Sequence, residues 1–519
     1  MTITIFDKEL ERIDKAIDAE NFNKTSVYNV PGYKPVRREL KHAPVRISGT
    51  VPDDLDGVYL RNGTNVQFDN THIRSHAFCG AGMIHQIQIK DGSATYSNFY
   101  VRTPRFEVER KAGREIFVDF TDMAGGGPAA AAKMRFLEEK KRLGLIPNLS
   151  KLELTTGSTS VRYHSGRIYC LQELGYAFVL NTSEENGRLV MDGTGKLETW
   201  EGEWEGPFSA HPRFDPATGD MYNLSIDATR TVIAGLITKG LRHSQAVVHH
   251  YPKNSHRLGW LHDFFLTDNY LVYPDMSIGV NGTAGLESET GSIFHFDPNY
   301  PLRWGVIPRN FKAGDAVRFF TTAKAAAVWH VINAWERTGS NGDPELVLFS
   351  PCFPSYPPSV PIHTPEEPPA QVMKWVLNMK SGNVTEEELL LDHGYERPSL
   401  NLDYVGMPSR YCYLLDEHGD GYMGKGVLKY DLIDEREIAY LDYGSMYGGE
   451  ALYVPKKNPT SEDDGYLLDL LMADEKAELL IMDAKTMKEV ARLHLPQRVP
   501  FGVHATWLGP EELASISAA

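Results

Sequence analysis

Four histidines sit where the chain reads as a strand or the end of one: His211 in FSAHPRFDP, His262 in WLHDFFLT, His330 in AVWHVINAWE and His504 in PFGVHATW. Neutral imidazole is a common ligand for transition metals. Bulky apolar or small neighbours point all four inward. A histidine in such a setting is ordinarily a satisfied core residue, and no H-x-x-x-H or H-x-D spacing links them. His262-Asp263 suggests a metal-binding triad, but adjacent strand residues face opposite ways, so Asp263 is not expected to share a metal with His262. His211 differs through Pro212: a following proline holds it in the extended region and fixes the direction of its ring. His249, His250 and His256 also cluster, in an exposed-looking YPKNSHR context, and read as decoys. Residue type and spacing leave the core reading and the metal reading both open.

The elements that must position these histidines read as strands. GVYLRNGTNVQF, AGMIHQIQIKDGSATYSNFYVRT and VRYHSGRIYCLQELGYAFVLN are short apolar runs broken by Asn-Gly, Asp-Gly and Ser-Gly, the signature of hairpins. The texture continues through NYLVYPDMSIGV, ELVLFSP, GYMGKGVLKYDLI, GYLLDLLM and AELLIMDAKTMKEVARLHL. No βαβ alternation appears, so the fold class is all-β. At this size a propeller is favoured over a sandwich, because radial repetition hides strand edges. No strict repeat indicates a WD40-type array. Residues 1–519 are expected to form a single propeller domain, with a helix and arm over 1–50, a helical insertion over 124–146 and a Pro-rich loop over 351–370. The insertion has Pro128 at its start and Gly144 as a stop. It and the loop are either surface decoration or the frame of a tunnel mouth, with Met134, Phe136 and Leu137 supplying apolar surface.

Composition bounds the function. The 519 residues are 42% apolar with 45 Gly and 31 Pro, enough for a large core dense in turns. A net charge of −16 argues against a nucleic-acid partner and against strong attraction to anionic lipid. Four scattered cysteines without a C-x-x-C pair fit a reduced compartment. The N-terminal MTITIFDKELERIDKAIDAE lacks the apolar core of a signal peptide, so a cytoplasmic location is expected. No window approaches about 18 uninterrupted apolar residues, so no membrane span is expected. Phe6, Leu10, Ile13 and Ile17 form one helical stripe; its acidic polar face favours docking on the body over lying on lipid.

Nine motifs in order carry a wider resemblance: GVYLRNG, NFYVRTPRF, SAHPRFDPATG, HDFFLT, WHVINAWE, ERPSLN, GGEALYVP, EDDGYLL and PFGVHATW. In them, from about Val51 to Trp507, the chain resembles the carotenoid cleavage oxygenase family. That family includes apocarotenoid, lignostilbene and isoeugenol cleavers and animal retinoid enzymes. The resemblance implies a seven-bladed β-propeller with a loop and helix cap over an axial iron site. It places His211, His262, His330 and His504 on the family's four Fe(II) ligands, and Glu173, Glu396 and Glu450 on its outer carboxylates. An outer carboxylate would hold the far ring N–H of a ligating histidine and offset the charge of the iron. Thr159 matches a threonine beside an open iron position.

The implied reaction is oxidative cleavage of a conjugated C=C bond by O2 into two carbonyl products. Its substrate would be a hydrophobic small molecule, either a carotenoid or apocarotenoid or an aryl-alkene such as a stilbene or phenylpropanoid. HVINAWE and YPDM resemble the aryl-alkene branch. Relatives that grip a phenolic hydroxyl, however, carry Lys where this chain has Gln172, which can donate a hydrogen bond but not neutralise a phenolate. The family's F-D-G-D-G segment is Phe78-Cys79-Gly80-Ala81-Gly82 here. A retinoid-type isomerase and a non-catalytic binding propeller are the alternatives. Peripheral membrane contact and oligomeric state stay open.

Overall fold

Seven antiparallel sheets of four or five strands are arranged as the blades of a β-propeller in this computed structural model, in agreement with the expected fold. Residues 7–20, 32–68, 77–119, 127–227, 230–251, 258–280, 294–355, 369–389, 391–417 and 423–518 are described. Phe6, His256 and the middle of the Pro-rich loop, 356–368, lie outside the described residues.

Blades 2 to 6 each run outward from one inner strand: Ser160–His164, Arg213–Phe214, Phe265–Leu266, Asn333–Thr338 and Tyr395–Ser399. Blade 7 starts on Leu452–Pro455. The inner strand of blade 1 comes from the far end of the chain: Ala505–Leu508 pairs with Gly57–Asn65, Val58 opposite Leu508 and Arg61 opposite Ala505. At the outer edge of blade 7 the order reverses, and Arg46–Gly49 adds to Lys488–His494. The ring is thus closed twice.

The strands between are buried on both faces, because a neighbouring blade covers each side. Gly465–Met472 is buried along its whole length, which is why GYLLDLLM reads as a continuous apolar run rather than an alternating one. Leu468, Leu470, Leu479 and Ile481 pack there against Tyr59 and Ile87 of blade 1. Truncating one such leucine to alanine would cost about 2–5 kcal/mol.

Turn punctuation was a good guide with one exception. Asp91-Gly92 and Ser165-Gly166 have positive φ at both residues and join hairpin strands, as the primed two-residue turns require. Asn62-Gly63 reads the same way but lies inside Gly57–Asn65. The Asn62 amide is buried and donates to Gly157 O at 2.8 Å and Ser160 O at 2.9 Å. A Cβ on Gly63 would lie 2.5 Å from the Gly502 Cα. Tertiary contacts, not a turn, select both residues.

Three other expectations need correction. Residues 1–50 read as a helix and arm, yet Leu40–Pro44 and Arg46–Gly49 are outer strands; half-exposed edge strands carry little alternation to detect. The expected insertion is a helix, Gly127–Arg142, but a second internal helix, Pro104–Ala112, lies in a stretch that does not read as helical, with Thr103 accepting from Phe106 N and Gly113 in the left-handed region as its stop. The strand Pro344–Cys352 also runs into the start of the Pro-rich segment.

Helix Asp7–Glu20 does dock on the body. Ile13 and Ile17 pack on Ala129 and Phe136 of Gly127–Arg142, and Lys133 Nζ lies 3.0 Å from Asp14 with both side chains buried. Leu137 faces inward onto Val108, Ile116 and Phe117, so of the three side chains assigned to a tunnel mouth only Met134 is exposed. Phe78 is exposed, Cys79 is buried, and Ala81 and Gly82 begin the strand Ala81–Lys90. Among the described residues no helix is long and apolar enough to cross a membrane.

Candidate metal centre

Inner strands all run the same way, so the segments leading into them meet on one face of the ring. Each of the four histidines occupies such a segment: His504 before Ala505–Leu508 of blade 1, His211 before Arg213–Phe214 of blade 3, His262 before Phe265–Leu266 of blade 4, and His330 before Asn333–Thr338 of blade 5. Backbone contacts fix them locally. His211 N donates to Ser209 Oγ at 2.9 Å, and Ser209 N to Asn223 Oδ1 at 2.7 Å. His504 O accepts from Asn62 N at 3.0 Å.

All four imidazoles converge, as the family resemblance implied. The Nε2 atoms of His211 and His262 are 3.1 Å apart, those of His262 and His330 3.2 Å, and those of His330 and His504 3.3 Å. Their ligand atoms all lie within 4.8 Å of one another. Four imidazole nitrogens about 2.1 Å from one cation would have neighbours about 3 Å apart, so the donor set fits a single metal ion. Without a cation, facing lone pairs would repel.

Carboxylates hold three of the rings from outside. Glu173 accepts from His262 Nδ1, Glu396 from His330 Nδ1, and Glu450 from His504 Nδ1 at 3.2 Å. This fixes the tautomer in which Nε2 carries the free lone pair. Among the described residues no carboxylate holds His211. All seven blades now have one residue in the centre: His504, Glu173, His211, His262, His330, Glu396 and Glu450 in order around the ring.

The electrostatics favour neutral ligands. Burial, then the three neighbouring imidazoles, push His211 well below the usual histidine range. Burial and His262 push His330 down to about 3. Burial outweighs Glu450 at His504, which falls to about 4. His262 moves the other way: burial opposes a charge there, but the charge and hydrogen bond of Glu173 prevail and raise it. Burial disfavours ionised Glu450, yet His504 and Arg162 lower it to about 2.

Other sequence candidates fall nearby with different contacts. The Thr159 hydroxyl donates to Glu173 Oε2 at 3.3 Å, and Gln172 is half-buried next to that glutamate. Asp263 turns away from the four nitrogens, as expected, although His262-Asp263 precedes the strand instead of lying in it. Two residues escaped the sequence reading. Arg162 donates to Ala505 O at 2.8 Å, behind His504, and Arg213 pairs with Asp263. Only proximity in the folded ring could have singled them out. Trp329 adds an apolar wall, its ring edge-on to His262 at 5.5 Å.

A family model described as "Retinal pigment epithelial membrane protein" matches residues 33–509. The chain belongs to this family, the carotenoid cleavage oxygenases. It is 30% identical over 511 residues to carotenoid 9,10(9',10')-cleavage dioxygenase 1 of Arabidopsis thaliana, covering 93% of this chain and 89% of the relative. Among solved structures, an apocarotenoid oxygenase of Synechocystis superposes with a TM-score of 0.75 at 25% identity, over 92% of this chain and 98% of that one. The lignostilbene dioxygenase of Pseudomonas brassicacearum shares the fold with a TM-score of 0.76 at 21% identity, over 93% and 99%. Like its named relatives, this family member is an oxidoreductase acting on carbon–carbon double bonds.

Proposed function

We propose that the protein is a non-haem Fe(II) dioxygenase that splits a conjugated C=C bond of an apolar substrate into two carbonyl products. The observation that carries this reading is the convergence of four Nε2 atoms, three of them on rings held by carboxylates. His211, His262, His330 and His504 would hold the metal. Imidazole suits several first-row metals, and family membership selects iron among them. When bound, the iron would supply O2 activation at coordination positions the four imidazoles leave free.

The remaining work falls to the chain's own residues. Glu173, Glu396 and Glu450 keep the Nδ1 protons in place and spread negative charge around the cation. The lowered pKa values of His211, His330 and His504 keep protons from competing for Nε2 on those three rings near neutral pH. Trp329 and the buried setting of the rings limit water around the reacting double bond.

A carotenoid or apocarotenoid polyene is the first choice of substrate. The 30% identical relative is named for carotenoid cleavage, and Gln172 lacks the charge that would grip a phenolate. An aryl-alkene is the second choice, supported by HVINAWE and YPDM.

The test is anaerobic Fe(II) loading followed by 18O2 and a set of apocarotenals, hydroxystilbenes and propenylphenols, with products reduced at once to prevent exchange with water. Paired products, each carrying one 18O, are expected. A geometric isomer without label would show a retinoid-type isomerase instead. His330→Ala should lose iron and activity together; full iron stoichiometry in that variant would sink the assignment.

A further inference from the structure

The three segments carrying His211, His262 and His330 belong to separate sheets, so no ladder of strand hydrogen bonds sets their spacing. Two of the inner strands they lead into, Arg213–Phe214 and Phe265–Leu266, are only two residues long. One buried carboxylate reaches all three segments. Asp263 follows His262 and is 2% exposed. Arg213, beyond His211 and Pro212, brings Nη2 to within 2.5 Å of both Asp263 oxygens and donates from Nε to Phe264 O at 2.7 Å. Val331, next to His330, donates its N–H to Asp263 Oδ2 at 3.0 Å. Phe264 N completes the set by donating to Oδ1 at 2.7 Å.

We propose that Asp263, gripped by Arg213 and by the Val331 N–H, is a positioning residue that sets the mutual spacing of the His211, His262 and His330 rings. It touches no ligand atom; it acts through the backbone on which the ligands are mounted. His504 lies outside this clamp, tied to blade 1 by the Asn62 backbone on both sides, through His504 O and Val503 N. The inference rests on the four-histidine metal reading above.

Asp263→Asn keeps size and shape but turns an amide donor against Arg213 and, with it, against either the Phe264 or the Val331 N–H. Arg213→Lys keeps the charge and loses the planar fork. Removing an outer partner of a metal site typically weakens binding by about 10- to 100-fold. Fe(II) affinity of the full chain, measured by competition with a chelator, should fall by about that factor in Asp263→Asn and less in Arg213→Lys. The visible absorption of the Co(II)-loaded protein, which reports ligand geometry, should change in both. A merely structural role would lower the melting midpoint of the metal-free protein and leave affinity and spectrum unchanged, overturning the proposal.

His330→Ala belongs in the same titration. If His330→Ala loses affinity while Arg213→Lys and a folded Asp263→Asn match wild type, the clamp is refuted and the metal centre stands. If His330→Ala also binds like wild type, the centre itself is misassigned and the clamp falls with it. Should Asp263→Asn fail to fold, Arg213→Lys decides alone.

Discussion

His262, His330 and His504 are each aimed by a carboxylate from another blade, whereas His211 is aimed by its own backbone through Pro212 and Ser209. Both devices restrict where a ring can point, one through the ring itself and the other through the backbone that carries it, so they place the control in different parts of the chain. A carboxylate also raises the basicity of the ring it holds and adds charge against the cation. A backbone restraint does neither. The centre therefore combines three electronically tuned ligands with one that is held mainly by conformation.

Replacing Glu396 by Gln would strain this distinction most. The amide retains an acceptor for the His330 N–H but removes the charge, and Fe(II) affinity should fall about 10- to 100-fold. Chelator competition would show it, and an unchanged affinity would make the carboxylates simple props, equivalent to the backbone of His211. Pro212→Ala should act more weakly. Freeing one backbone position is worth roughly 0.4–1 kcal/mol, or about two- to fivefold in affinity, with the fold retained. A loss as large as that in Glu396→Gln would mean that His211 depends on its proline more than its neighbours depend on their carboxylates.

A last prediction concerns stability, not metal affinity, and tests support for the carboxylate side. Asp469 Oδ1 accepts from Gly449 N at 2.9 Å, one residue before Glu450. Burial pushes Asp469 up to about 6, above the ordinary 3.8. The folded state thus binds this proton more tightly than the unfolded chain. The resulting stabilisation is complete below about pH 4 and is lost as pH rises through 6, up to about 3 kcal/mol from this one group. Asp469→Asn keeps the acceptor for Gly449 and should flatten that stretch of the pH–stability curve, as measured by chemical denaturation of the metal-free protein. A slope equal to wild type would place the titration elsewhere.

Local chemistry made parts of this molecule legible. Asp91-Gly92 and Ser165-Gly166 announced their turns, and apolar surroundings marked the four histidines as inward-facing. The family motifs supplied the number of blades and the identity of the carboxylates. What stayed hidden depends on ring closure. His330 and Glu396 are 66 positions apart, and His504 and Glu450 are 54 apart, so no spacing rule links them. Asn62-Gly63 misled because its partners are remote in sequence: Gly157 and Ser160 arrive from blade 2, and Gly502 from the far end of the chain. Asp263 was rightly excluded as a ligand, but its role needed Arg213 and Val331 beside it, which only the folded ring provides.

The strand that closes the ring has a bearing on when a metal ion could be taken up. His504 stands at the head of Ala505–Leu508, and that strand is placed only when it pairs with Gly57–Asn65. While a ribosome is still making the chain, the centre can offer at most three imidazoles, whatever the state of the other blades. Full-affinity loading is therefore a late event, coupled to the last seam of the barrel-like ring. By mass action, bound metal would in turn hold that seam shut, so loss of metal should first be felt as fraying of Ala505–Leu508 from Gly57–Asn65 within blade 1.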